Sequence, residues 1–214
     1  ETARLRVYAY AEWVLGTSRA RTSPTIVPGR DEATGALTAR NPYGLDYSER
    51  TAFLAVDTAI QSFTADRTEF IGRGGSVEWP AAALSGAALS GTVEPGRDPC
   101  AAIACDVTVP AGGVRHLHVL LGDAASAEEA SALAARHRAV DFDARLEANA
   151  RAWDDFLGAV QVETPDAAMN CMLNRWLPYQ GLACRIRARA AFYQASGAFG
   201  FRDQLQDALA LMLH

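Results

Sequence analysis

The chain carries its densest chemistry near its end. In Arg202-Asp203-Gln204-Leu205-Gln206-Asp207, the residues Asp203 and Asp207 are four apart, so a helix places both carboxylates on one face with Arg202 at the turn before them. Just upstream, Tyr193, Gln194, Phe199 and Phe201 alternate with Gly197 and Gly200. Polar and aromatic residues set between glycines pack poorly as core and well as the rim of a ligand site. Aromatic faces stack on the apolar face of a pyranose ring, while guanidinium and carboxylate groups make directional, charge-assisted hydrogen bonds to its hydroxyls. The plain alternative is that Asp203 caps a helix, Asp207 is solvated and Arg202 pairs with either. Inverting glycosyl transfer needs a general acid on one side of the bond and a nucleophile on the other. The cluster supplies groups that fix a sugar and does not by itself supply the acid.

A second polar, glycine-rich stretch, Asp66-Arg-Thr-Glu-Phe-Ile-Gly-Arg-Gly-Gly75, offers Asp66, Arg67, Glu69 and Arg73 as a further rim loop. It lacks the spacing and the lysine of a phosphate-binding P-loop, and a surface loop held by arginine–carboxylate pairs accounts for it equally. His116 and His118, two apart on one strand face, have no third ligand nearby and read as exposed strand histidines rather than a metal site. Cys100, Cys105, Cys171 and Cys184 are too widely spaced for a zinc knuckle and read as buried free thiols in a reducing compartment. No Ser/His/Asp or Cys/His arrangement stands out.

These residues need a frame of 214 positions, half of them hydrophobic, enough for one large or two small cored domains. A net charge of −5 with both signs interspersed leaves no basic face for nucleic acid. All 20 basic residues are arginine, which reads as the codon bias of a GC-rich genome. No run approaches the ~18 apolar residues of a membrane helix. The first residue is Glu1, and an apolar run from Ala208 to Leu213 is cut at His214, so the chain is expected to be a portion of a longer protein.

Alternation of Leu5, Val7, Ala9, Ala11 and Trp13 with Arg6, Tyr8, Tyr10 and Glu12 predicts a half-buried strand over 4–15. Further strands are expected at 25–27, 36–40, 51–56, 102–109 and 115–121, separated by Gly, Pro and Asn turns, and together they argue for an antiparallel sandwich. At Gly122-Asp123 the texture changes. Ser126 with Glu128 and Glu129 predicts a helix start, and 127–138 and 141–157 carry helical spacing. Thr164-Pro-Asp166 opens a longer helix that Pro178 should bend or break near Leu177. A last helix is expected to begin at an Asp203 cap.

Four stretches together resemble glycoside hydrolase family 94. They are Asp66-Arg-Thr-Glu-Phe-Ile-Gly-Arg73; Leu89-Ser-Gly with Asp98-Pro-Cys-Ala-Ala102; Asn174-Arg-Trp-Leu-Pro-Tyr-Gln180; and Ala191-Phe-Tyr-Gln-Ala-Ser-Gly-Ala-Phe-Gly-Phe-Arg-Asp-Gln-Leu-Gln-Asp207. The resemblance covers nearly the whole chain and lies nearest to the C-terminal phosphorylase region of bacterial cyclic β-1,2-glucan synthases. It implies the later part of a galactose-mutarotase-like β-supersandwich over 1–122, a helical linker over 123–162, and the first helices of an (α/α)6 barrel over 163–214.

Such enzymes use inorganic phosphate, with no metal or organic cofactor, to cleave a β-glucosidic bond with inversion, giving α-glucose 1-phosphate, and also run the reverse reaction. By resemblance Asp203 would accept hydrogen bonds from the transferred glucosyl unit and Arg202 would orient it. Gln204, Asp207, Tyr193 and Gln194 would line the same site. The general acid would lie beyond His214, leaving this chain alone inactive. Cellobiose phosphorylases have a sugar-contacting Arg six residues before that Asp. Here the position is Gly197, which favours the β-1,2-glucan branch. The implied partners are a β-glucan oligosaccharide and phosphate, with a homodimer and fusion to a membrane glycosyltransferase as further expectations, on the cytoplasmic side of the bacterial inner membrane. Two alternatives stay open: a non-catalytic carbohydrate-binding sandwich, and a stand-alone cellobiose-type phosphorylase.

Overall fold

The computed structural model describes residues 1–44, 47–187 and 201–213. The chain divides into two compact units, Glu1–Val140 and Asp141–His214.

The first unit is an antiparallel sandwich flanked by helices. Strands β1 (Ala3–Glu12), β2 (Val27–Arg30), β3 (Leu37–Arg40), β4 (Thr51–Val56), β5 (Ser62–Asp66), β6 (Pro99–Val109) and β7 (Val119–Ala124) form two sheets, ordered β1-β6-β5 and β2-β3-β4-β7. A short helix α1 (Arg19–Thr22) follows β1, while α2 (Arg67–Ile71) and α3 (Ala81–Ser85) follow β5. Helix α4 (Ala127–Arg138) closes the unit, with the Ser126 hydroxyl accepting from the Glu129 N–H as the capping pattern predicts.

β6 explains the layering. Its residues Cys100 to Cys105 are all buried, because each face of the strand is covered. Ala101, Ile103 and Cys105 face Leu37, Ala39, Ala52, Leu54 and Val56 of the other sheet, with Ala9, Trp13 and Ile26. Cys100, Ala102 and Ala104 face outward beneath Phe70 and Ile71 of α2, Ala82 of α3 and Leu89. On the far side of the second sheet, Ala36, Phe53, Ala55 and Ala124 pack on Ala130 and Ala134 of α4. The small residues of β6 and α4 let these layers approach closely.

Some sequence expectations change. Residues 23–25 form a 3₁₀ turn, and the second strand starts only at Val27. β5 had no alternation to reveal it, since Ser62, Thr64 and Asp66 are buried polar residues. The last strand runs past Gly122 instead of ending before it. A Cβ there would lie 2.9 Å from the Phe53 ring on its register partner, so the glycine makes room rather than a turn.

The second unit begins with α5 (Phe142–Leu157), capped by Asp141. Asp166 then caps an uninterrupted helical run made of α6 (Ala167–Cys171), a π-helical stretch (Met172–Trp176), α7 (Leu177–Gln180) and a second π-helical stretch (Gly181–Arg187). Of the bend or break expected near Leu177, Pro178 does not produce the break. The ladder widens just before it, with the Leu177 N–H bonding to the carbonyl of Met172, and the proline is absorbed at the start of α7. Helix α8 (Phe201–Ala210) is followed by a 3₁₀ turn over Leu211–Leu213. Among the described residues, no helix is long and apolar enough to cross a membrane.

Candidate functional site

The Asp203 cluster lies on α8, where Asp203 is a helical residue and not the cap that the sequence suggested. Arg202 is exposed, and Asp207 follows Asp203 by one turn of the same helix. The side chains of Asp203, Gln204 and Asp207, and all of Tyr193 and Gln194, lie outside the described residues.

Upstream in the same unit, the Asn174-to-Gln180 stretch divides its work. Asn174 clamps the incoming chain: its carboxamide accepts from the Val162 N–H at 2.8 Å and donates to the Val162 carbonyl at 2.9 Å. Asn170 makes the same pair of bonds to Thr164, one turn earlier. Arg175 pairs with Asp154 of α5 at 2.8 Å. Gln180 accepts from the Cys184 thiol.

The remaining side chains of this stretch build an aromatic groove of about 320 Å³ lined by Trp153, Leu157, Cys171, Arg175, Trp176 and Tyr179. Trp153 and Tyr179 stack obliquely with centroids 5.1 Å apart, and the Arg187 guanidinium lies 5.4 Å from the Trp153 ring. Sequence reasoning had singled out the stretch but not Trp153, whose helical spacing made it look like ordinary packing. Cys171 was expected to be buried and is exposed, while Cys184 is half-buried. Cys100 and Cys105 are buried, and none of the four is disulfide-bonded.

The proposed rim loop is largely not a loop. Asp66 caps α2 by accepting from the Thr68 N–H at 2.8 Å. Arg67 bonds Glu12 at 2.6 Å and approaches Asp98 at 3.8 Å, and Arg19 bridges the same two acids. Glu12, at the end of β1, and Asp98, ahead of β6, are thus held by two arginines, and Arg97 approaches Asp66. The Tyr10 hydroxyl and the Arg67 guanidinium hold the Glu12 carboxyl below its usual range. Burial of Cys100 beneath this lattice pushes its thiol up to about 12. Glu69 accepts from the Thr64 hydroxyl, the Ser90 N–H and the Ser90 hydroxyl, fastening the Leu89-Ser-Gly segment beside β5. Arg73 is exposed.

The histidines sit ahead of β7 rather than on it, and His118 is half-buried. Its ring bonds Asp57 at 2.6 Å and its N–H bonds the same carboxylate at 3.0 Å. Among the described residues no group of three or more His, Cys, Asp or Glu could hold a metal.

Residues 1–140 match the glycosyl hydrolase 94 supersandwich domain, and residues 152–214 match the glycosyl hydrolase 94 superfamily catalytic domain. The chain belongs to glycosyl hydrolase family 94. Among its family-94 relatives, a protein described as "Cyclic beta-(1,2)-glucan synthase NdvB" from Rhizobium meliloti (strain 1021) is 54% identical over 211 residues, 99% of this chain and 8% of that protein. A "3-O-beta-D-glucopyranosyl-beta-D-glucuronide phosphorylase" of Paenibacillus borealis is 28% identical over 79% of this chain and 21% of its own length. A "Solabiose phosphorylase" of the same organism is 30% identical over 74% of this chain and 20% of its own length. The chain therefore spans between a twelfth and about a fifth of these family-94 proteins.

Proposed function

We propose that this chain is the supersandwich and the opening of the catalytic barrel of an inverting glycoside phosphorylase acting on β-1,2-glucan, within a larger cyclic β-1,2-glucan synthase-like protein. The observation that carries the reading is the 54% identity, across 99% of the chain, to a protein named for β-1,2-glucan synthesis. In the reaction, a phosphate oxygen attacks the anomeric carbon as the glycosidic C–O bond breaks. A general acid outside this chain gives its proton to the departing sugar oxygen. Asp203 would accept hydrogen bonds from hydroxyls of the transferred glucosyl unit. Arg202, exposed on α8 and next to it in sequence, would orient that unit, with Gln204, Asp207, Tyr193 and Gln194 around the ring. Hydrogen bonds to ring hydroxyls that strengthen at the transition state are the contribution of such residues. Inorganic phosphate is the co-substrate and no cofactor is called for. The parent would act on the cytoplasmic side of the inner membrane, as a homodimer or fused to a membrane glycosyltransferase.

The test extends the chain through the whole catalytic domain and measures phosphate release from α-glucose 1-phosphate with a β-1,2-glucooligosaccharide acceptor. Release is expected from the extended protein, with loss of about a hundredfold or more on Asp203→Ala. Full activity in that variant would remove Asp203 from the site. Release only with another β-linked acceptor would overturn the substrate.

A further inference from the structure

The cover over the outer face of the first sheet stops part-way along its strands. Ala82 of α3 packs into the cluster with Ala102, Ala104 and Tyr8, and the helix then ends at Gly86, whose φ of 65° is the left-handed conformation that favours glycine. Past that point the register sets Arg6 opposite Asp106 and Arg4 opposite Thr108, and alternation puts Arg4 and Arg6 on the same face as Tyr8. With Ala83 and Gly86 at the helix end, these residues line a cleft of about 500 Å³. Small-ligand sites span roughly 300–1,000 Å³, so the cleft has room for one.

One guanidinium braces the walls. Arg6 donates from Nε and Nη2 to the two carboxylate oxygens of Asp106, at 2.7 and 3.1 Å, and from Nη1 to the Gly86 carbonyl at 2.8 Å. This fork ties β1, β6 and the end of α3 together and commits Arg6 on three sides. Asp106 has lone pairs left over, and the Arg6 guanidinium holds its carboxyl below the usual range, so it is an anion at neutral pH. Bracing does not account for its neighbours. Arg4 and Thr108 are exposed, and among the described residues Arg4 has no carboxylate partner and the Thr108 hydroxyl no hydrogen bond. An incoming anion would meet the Asp106 charge with Arg6 already taken. A neutral ligand rich in hydroxyls can donate to Asp106 and accept from Arg4 and Thr108 at once, while Tyr8 and Ala83 offer apolar surface to its ring carbons.

We propose that this cleft is a saccharide site on the sandwich unit, in which Asp106 accepts from the hydroxyls of a glucosyl unit and Arg4 and Thr108 donate to them. The site rests on the β-glucan reading above. It adds a holding site for polymer that is not reacting, made of residues other than the Asp203 group. The probe is a linear β-1,2-glucooligosaccharide titrated into the 214-residue chain and followed by backbone amide resonances, with inorganic phosphate titrated separately. Arg4→Ala and Thr108→Val remove cleft groups without touching the Arg6 fork, and Arg4→Lys keeps the charge and a donor.

The expected result is a saturable shift of the Arg4, Arg6, Asp106 and Thr108 amides with saccharide and none with phosphate. Binding should be about tenfold weaker in Arg4→Ala, weaker to a smaller degree in Thr108→Val, and mostly retained in Arg4→Lys, with the Tm of each variant unchanged. Unmoved cleft amides at about 10 mM saccharide, or unchanged affinity in Arg4→Ala, overturn the site. So does a shift of the same amides by phosphate, since the cleft would then hold anions. Phosphate release by the extended protein with a short acceptor separates the two claims. Release together with unmoved cleft amides removes the holding site and leaves the phosphorylase, whereas failure to release with every acceptor removes the phosphorylase reading itself.

Discussion

The sandwich unit and the helical unit treat their apolar residues in opposite ways. In the sandwich, each sheet face carries a buried cluster, with Ile103, Ala101 and Val56 sealed from solvent, although Leu5 and Leu121 at its edges stand open. In the helical unit, Leu157 and Pro178 are the buried apolar residues among those described, while Leu146, Trp176, Leu177 and Leu209 stand open. The sandwich specifies itself, whereas the helical unit carries apolar faces that its own described residues do not cover. Polar chemistry divides the same way. Carboxylates of the first unit are tied into lattices around Glu12 and Glu69, and the helical unit spends its polar groups on clamping one loop through Asn170 and Asn174.

The sharpest way to break this contrast is a cavity in the closed core. Ile103→Ala should cost about 2–5 kcal/mol in urea unfolding of the sandwich, because close-packed surroundings relax only in part. A cost near zero would mean that the core is looser than its burial suggests. Next comes the lattice. Glu12→Ala leaves Arg19 and Arg67 sharing Asp98 alone, and since the Glu12 side chain is 32% exposed the expected loss is about 1–2 kcal/mol, between surface and buried ion pairs.

Asp57→Asn should cost about 1 kcal/mol at neutral pH, with a definite pH signature. Burial alone would raise this carboxyl, but the N–H and ring of His118 outweigh burial and leave it below its ordinary 3.8. A carboxyl depressed on folding adds stability above its unfolded value and loses it as pH falls through the folded value. The Tm gap between wild type and Asp57→Asn should therefore be full above about pH 5 and vanish only once pH has fallen through the folded value, below 3.8. The smallest effect is expected in the other unit, where Leu177→Ala should change the stability of this chain by about 0.5 kcal/mol or less. A larger loss would show that the helical unit packs more of itself than its exposure indicates.

The sequence made these regions legible to different depths. β4 and α4 are found where a short apolar run between turns and a capping pattern placed them. β5 was hidden because its polar residues are buried for their hydrogen bonds: Thr64 donates to Glu69, and the Ser62 hydroxyl accepts from the Leu89 N–H. The second partner is remote in sequence, and the first lies across the turn into α2. Asp66-to-Ile71 looked like a loop because the glycines that follow it dominate its composition, yet Asp66 is a helix cap followed by two core anchors, Phe70 and Ile71. The aromatic groove was half legible. Trp176 and Tyr179 sit in a conspicuous stretch, while Trp153 joins them only through the fold of α5 against it.

Strand β6 has one more consequence, and it concerns time. Glu12 pairs with Cys100 and Ala3 with Val109, so β1 is made long before its partner. At about 5–20 residues per second, a nascent β1 waits on the order of ten seconds for β6 to leave the ribosome. During that interval its apolar alternation has no native neighbour, and any other extended segment can compete for its edge. The yield of soluble protein should accordingly depend on how fast the chain is translated and on chaperones that hold a strand until its mate arrives.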